Sequence, residues 1–329
     1  MEARCAKFYE FGNPQNVIKV EHTSIQKPLS GEVLVRMTTR PINPSDLLPI
    51  RGAYSHRIPL PAIPGYEGVG IVEEVGPFGS KDLIGKRVLP LRGEGTWQEY
   101  VRTSAELAIV IPDSIEDHVA AQLYINPLTA WLICTESLAL KPDDVLVVNA
   151  CGSAIGRIFT QLSKILGFKL IAVTRNDTYT AELLKLGADL VIDTSRTALT
   201  DAVMEWTSGR GANAAIDSVG GNAGSELAFC VQPTGILLTI GLLSGQSVNW
   251  AKISKATKVH VQMFHLRHWN QRASVQTWHE TFDRLLGFIA DHSLKLMLPH
   301  SHYDLRDVQE AITVAETSSS NRGKVFLSS

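Results

Sequence analysis

The chain has 329 residues, 44% hydrophobic and 19% charged, which is more than one hydrophobic core usually organises. Its formal net charge of −2 gives no electrostatic reason to expect nucleic acid or an acidic membrane surface as a partner. The four cysteines, Cys5, Cys134, Cys151 and Cys230, lie far apart and form no close pair, so isolated buried thiols are expected rather than a disulfide framework or a zinc knot.

The first residues, MEARCAKFYEFG, lack an apolar run of signal-peptide length, and no later run reaches the roughly 18 apolar residues of a membrane span. A soluble, cytoplasmic protein is the expectation. Short apolar runs broken by Gly and Pro follow at residues 32–37, 68–75, 87–91 and 97–102, and predict an antiparallel, partly barrel-like sheet.

Near residue 125 the pattern changes to alternating strands and helices. Strands are predicted at 145–149, 169–174, 190–193, 214–217 and 236–241, with helices at 153–166, 180–186, 199–207 and 225–231 between them. Such alternation indicates a doubly wound parallel sheet. After about residue 265 the rhythm ends, leaving a helix at 278–291 and a closing strand at 324–327.

The strongest motif is VLVVNACGSAIGRIFTQLSKILG, residues 145–167. An apolar strand runs into a turn of small residues, and Ile158, Leu162, Ile165 and Leu166 then share one helical face. Small residues let the backbone approach a pyrophosphate, and the helix N-terminus supplies free N–H groups and positive potential. Asn149, Ala150, Ser153, Ala154, Ile155 and Gly156 are therefore candidate cofactor-binding residues, although the strict GxGxxG pattern is absent. A tight turn serving only helix–sheet packing is the plainer alternative.

In an NAD-binding unit an acid about 20 residues beyond the turn accepts from the ribose 2′-hydroxyl. Here the strand ends in Thr174, Arg175 and Asn176, donors that suit a 2′-phosphate and predict NADPH, although Asp177 follows at once. A solvated surface arginine is the alternative. The end of the 236–241 strand, Gly241 and Leu242, joins the cofactor set.

The blocks INPSDLLPIRGAY (42–54), PAIPGYEGVGIVEEVG (61–76), GTWQEYV (95–101) and NPLTAW (126–131), followed by the dinucleotide turn, resemble the medium-chain dehydrogenase/reductase superfamily. Within it the chain is similar to the zinc-independent quinone oxidoreductases and 2-enoyl thioester reductases. The resemblance implies a Rossmann domain, a doubly wound parallel sheet, inserted in a GroES-like, mainly β catalytic domain. It sets the catalytic domain at residues 1–124 and 265–329 and the NADP-binding domain at 125–264, and it implies a homodimer acting on a small molecule.

Zinc-using relatives place a Cys in the block that here reads Asn43-Pro44-Ser45-Asp46, and Gly-His-Glu where this chain has Gly65-Tyr66-Glu67. Neither the Cys nor the His is present, so no metal is expected, and Glu67 and Asp46 are expected to be buried carboxylates paired with an Arg or with backbone N–H groups. Tyr54 stands where the enoyl reductases carry their active-site tyrosine, which implies a catalytic donor, with packing on the nicotinamide as the alternative. By the same resemblance Asn43 is a catalytic candidate, and Ser45, Asn126, Thr129, Phe264 and Leu266 are candidate cofactor contacts. His265 and His268 are expected to line a wall rather than act as acid and base. The implied activity is NADPH-dependent reduction of a conjugated C=C, in an enone or 2-enoyl thioester. NADPH:quinone oxidoreduction is the alternative, and a non-catalytic NADPH-binding protein is the alternative of another class.

Overall fold

Residues 2–317 and 323–329 are described by the computed structural model, which divides into two units. The first comprises Met1–Ile125, Ala273–Asp291 and Leu296–Ser329; the second comprises Asn126–Arg272 and His292–Lys295.

The first unit opens on a hairpin that the sequence reading did not assign, β1 (Glu2–Phe8) with β2 (Ile18–Ser24), joined through a short helix, Pro14–Val17. Five strands follow: β3 (Glu32–Pro41), β4 (Val69–Val75), β5 (Arg87–Leu89), β6 (Tyr100–Ser104) and β7 (Ile109–Val110). Antiparallel pairing joins β3 to β4 and β6, β4 to β5, and β5 to β7. Alternation along β3 sends Val33, Val35 and Met37 into a core with Val72, Val88 and Val101. Gly70 lets β4 lie close to β3, since a Cβ there would stand 2.4 Å from the Arg36 carbonyl oxygen.

The second unit carries β8 (Val145–Val148), β9 (Lys169–Thr174), β10 (Leu190–Asp193), β11 (Ala212–Asp217), β12 (Val231–Thr239) and β13 (His260–Met263). They form a six-stranded parallel sheet in the order β10-β9-β8-β11-β12-β13. This is the 3-2-1-4-5-6 order of a dinucleotide-binding sheet, whose direction reverses between β8 and β11. The first crossover helix, Ala154–Leu166, buries Ile158, Phe159 and Leu162, each contributing about 1.5–3 kcal/mol. It ends at Gly167, whose φ of 83° closes the last turn.

The chain then returns to the first unit with the helix Val275–Ala290 and the parallel pair β14 (Pro299–Asp304) and β15 (Lys324–Ser328). Through β15 this pair joins β3 and completes a seven-stranded sheet. The antiparallel sheet expected for this region is thus mixed at one edge. A second buried cluster joins Phe8, Ile18, Leu47, Trp97, Ile312 and Leu327. All four cysteines are buried and free. Among the described residues no helix is long and apolar enough to cross a membrane.

Candidate active site

In the second unit the chemistry gathers at the carboxyl ends of β8, β9 and β11. The turn after β8 is made by Ala150 at φ 51° and closed by the Ser153 N–H donating to the Ala150 carbonyl, 2.9 Å. Ser153 caps the following helix, its hydroxyl accepting from the Gly156 N–H at 3.3 Å. The N–H groups of Ala154 and Ile155 lie in the first turn, where a helix leaves its donors without intrahelical acceptors. Gly156 is required sterically, because a Cβ there would meet the Cys151 backbone at 2.5 Å. Close backbone approach and unspent donors fit a pyrophosphate.

Asn149 has another task. It is 4% exposed; its amide donates to Asp217 Oδ1 at 2.6 Å, and its carbonyl accepts from the Ser218 N–H at 2.8 Å. Asp217 also accepts from the N–H groups of Val219 and Gly220. This lock ties the ends of β8 and β11 together at the reversal point of the sheet. Asp217 was not singled out in the sequence, where it reads as the ordinary end of a strand.

At the end of β9 the Arg175 side chain is exposed and makes no hydrogen bond or ion pair among the described residues. The Thr174 hydroxyl donates to the Asn176 carbonyl at 2.9 Å, and the Asn176 side chain accepts from the Thr178 N–H at 3.2 Å. A guanidinium left unspent beside a strand end suits a phosphate. Gly241 and Leu242 follow β12, where the Ile240 N–H bonds to Asp217 and the Leu243 N–H to Ser218. The Phe264 N–H donates to the Thr239 carbonyl, Leu266 begins a helix, and His265 and His268 meet edge to face at 5.3 Å. Asn126 lies in a π-helical turn, Tyr124–Leu128, and Thr129 begins the next helix.

In the first unit the Asn43-Pro44-Ser45-Asp46 block starts the helix Pro44–Ile50. Asn43 is 1% exposed: its N–H donates to Asp46 Oδ2 at 2.8 Å, its amide to Glu67 Oε1 at 2.8 Å, and its carbonyl accepts from Lys324 Nζ. Glu67 also accepts from the N–H groups of Tyr124 and Ile125, at 3.1 and 2.7 Å, and Asp46 from that of Tyr66 at 3.1 Å. Both carboxylates thus pair with backbone N–H groups, as anticipated, and the cation of the group is a lysine rather than an arginine. Burial pushes the Asp46 carboxyl up to about 7 and raises Glu67, while the same burial holds Lys324 below the usual ammonium range. Lys324 was overlooked, although a lysine opening the apolar run KVFL is itself a signal of buried pairing.

The buried Ser45 hydroxyl has no hydrogen-bond partner among the described residues. Tyr54 is half-buried ahead of the turn Ser55–Arg57, with the Arg57 guanidinium 4.0 Å above its ring. Nearby a pocket of about 230 Å³ is lined by Asp46, Ile58, Tyr66, Arg92 and Tyr124, but not by Tyr54. Burial pushes the Tyr66 phenol up to about 12, with Asp46 and Tyr54 adding in the same direction, so it remains a donor at neutral pH.

These residues do not fit zinc. Glu67 is committed to three donors, Tyr66 stands beside it, and among the described residues no group of three or more His, Cys, Asp or Glu could hold a metal ion.

Two family models match the chain: residues 29–113 match the alcohol dehydrogenase GroES-like domain, and residues 154–288 the zinc-binding dehydrogenase family. The mitochondrial enoyl-[acyl-carrier-protein] reductase of Rattus norvegicus is 30% identical over 94% of this chain and 84% of its own length. A crystal structure of a Bacillus thuringiensis protein assigned as an NADPH:quinone reductase is 60% identical, with a TM-score of 0.98 over 100% of this chain and 99% of that one. The Escherichia coli quinone oxidoreductase complexed with NADPH is 25% identical, with a TM-score of 0.88 over 99% of this chain and 100% of that one.

Proposed function

We propose, from the premise that the chain belongs to the zinc-independent medium-chain dehydrogenase/reductase superfamily, that it is an NADPH-dependent reductase of a carbon–carbon double bond conjugated to a carbonyl. The observation that carries the cofactor half is the unspent Arg175 guanidinium beside the small-residue turn of β8. Ala154 and Ile155 would hold the pyrophosphate through backbone N–H groups, with Gly156 allowing its close approach, and Arg175 the 2′-phosphate. When bound, NADPH supplies the hydride.

The protein's part is to receive the charge that develops. Hydride addition at the β-carbon of an enone or 2-enoyl thioester places negative charge on the carbonyl oxygen, which a preorganised donor stabilises. Tyr54 is that donor, followed by protonation at the α-carbon. Tyr66, a protonated phenol lining the pocket, is the second donor within the same unit. Asn43 acts through position rather than contact, tying the start of the Pro44–Ile50 helix to Glu67 and Lys324. The same reading includes a homodimer in the cytoplasm, on the family resemblance alone.

A second reading, NADPH:quinone oxidoreduction, is favoured by the 60% identity to the Bacillus thuringiensis protein. Single-turnover NADPH oxidation separates the two. Tyr54→Phe keeps the ring and removes the hydroxyl, so turnover of an enone should fall by about 10²–10³-fold, the scale of one lost oxyanion donor. Quinone reduction should suffer much less, because the acceptor is intrinsically reactive. Equal enone rates for wild type and variant would make Tyr54 a packing residue and favour the quinone reading.

A further inference from the structure

We infer that Arg196 is a second cation for the 2′-phosphate, paired with Asp177 until a phosphate displaces it, and so a specificity-determining residue of the dinucleotide site. The inference rests on the NADPH reading above. β9 and β10 are parallel neighbours with Thr174 opposite Asp193, so the segments leaving them run side by side. The Thr194 N–H and hydroxyl both donate to the Thr174 carbonyl, at 3.0 and 3.2 Å, and fix that spacing.

Arg196 sits in the turn after β10. Its N–H bonds to the Asp193 carbonyl, while Asp193 Oδ1 accepts from the N–H and hydroxyl of Ser195. The backbone is therefore anchored and the side chain is not, being 71% exposed. Its guanidinium stands 3.2 Å from Asp177 Oδ2 and 3.6 Å from Asp193 Oδ2. Arg196 pairs with Asp177 and Asp193 at the neighbouring ends of β9 and β10, and Arg175, two residues before Asp177, is unspent, so the four charges sum to zero.

An ion pair this exposed contributes little to stability and exchanges partners readily. A phosphate monoester carries up to two negative charges and three acceptor oxygens, and it competes better for a guanidinium than one carboxylate does. Arg196 can pass from Asp177 to the phosphate by side-chain rotation alone. Asp177 has two consequences: it neutralises Arg196 when no phosphate is present, and it repels the phosphate when one arrives. A free carboxylate near the ribose also accepts from the 2′-hydroxyl of NADH. Asp177 thereby narrows the preference that the two arginines create, which explains an acid two residues after Arg175.

The test is calorimetric titration of the full chain with NADPH and with NADH, for wild type, Arg196→Ala, Asp177→Asn and Arg175→Ala, each checked for folding by circular dichroism. Arg196→Ala should bind NADPH about 10-fold more weakly, the scale of one charge-assisted contact, and NADH within about 2-fold of wild type. Asp177→Asn should bind NADPH more tightly and NADH less tightly. Equal effects of Arg196→Ala on both cofactors, or none on either, would overturn the inference. If Arg175→Ala alone is selective, Arg196 loses its role and the NADPH reading stands; if neither arginine variant is selective, the reading of the phosphate site fails with it.

Discussion

Lys324, Glu67, Asp46 and Asn43 show how the interior of the first unit is held. Removing a buried cation that offsets nearby buried carboxylates leaves them with neither an opposing charge nor solvent, at a cost of about 3–5 kcal/mol. Lys324→Met should therefore destabilise the chain by about that amount at pH 7, measured by urea unfolding. Its pH dependence follows from the direction of the carboxyl shift. A folded-state value of about 7 for Asp46, above the usual carboxylate range, means that the group's contribution is fully present at about pH 4. It is lost as the pH rises through 7. Without the lysine the carboxyls are held higher still, so the deficit of Lys324→Met should be smaller at pH 5 than at pH 8. A deficit independent of pH would show that the lysine acts through packing alone.

At the same scale, the two tyrosines differ in what removal of a hydroxyl should do. Tyr66 lines the pocket and Tyr54 does not. If both act on one acceptor, Tyr54→Phe and Tyr66→Phe should each lower enone turnover, with the double variant falling short of the product of the single effects. The check is single-turnover kinetics of the three variants. A Tyr66→Phe variant with wild-type rates would leave the chemistry to Tyr54 alone. The sequence named Tyr54 through a local block, whereas Tyr66 gains its interest only from lining the pocket and from its raised pKa, neither of which follows from neighbouring residues.

Elements were legible where periodicity, caps and breakers agree. The strands at 169–174 and 190–193 and the helix at 180–186 fall where the pattern puts them, and the helix after β8 starts one residue later than predicted. The helix predicted at 225–231 instead runs from Gly221 to Ala228, and β12 begins at Val231. Gly220 and Gly221, with φ of 73° and 56°, make the helix entry, although glycines read as breakers in sequence. The β1–β2 hairpin escaped notice because Lys7, Lys19 and Glu21 interrupt its apolar pattern; Lys7 and Glu21 pair across the hairpin at 2.6 Å. The edge strand β14, PHSHYD, carries the polar residues His300, Ser301, His302 and Asp304 and has no apolar run.

The turn after β8 gives the element-scale prediction. Ala154 is half-buried in the first turn of the Ala154–Leu166 helix, where a glutamate would add volume and negative charge beside the free N–H groups. Ala154→Glu should fold normally and bind neither NADPH nor NADH by calorimetry. Unchanged affinity in the folded variant would place the pyrophosphate elsewhere. Asn149 belongs to the same strand end and looked like a member of the phosphate turn. Its partner Asp217 lies 68 positions away, and only the sheet order brings the two together.

For the whole molecule, the central claim is that this member of the superfamily moves hydride from NADPH to a conjugated carbon without a metal. The fold class was legible from the strand–helix alternation and the order of motifs. The acceptor was not, because residues that come together around a cavity, such as Asp46, Ile58, Tyr66, Arg92 and Tyr124, are widely separated in the sequence. The direct measurement uses NADPH carrying deuterium at the transferable position, one 2-enoyl thioester, one enone and a metal chelator. The predicted result is a saturated product with deuterium at the β-carbon, formed at a rate the chelator does not change. No deuterium transfer to either conjugated acceptor, or transfer that the chelator abolishes, would contradict it.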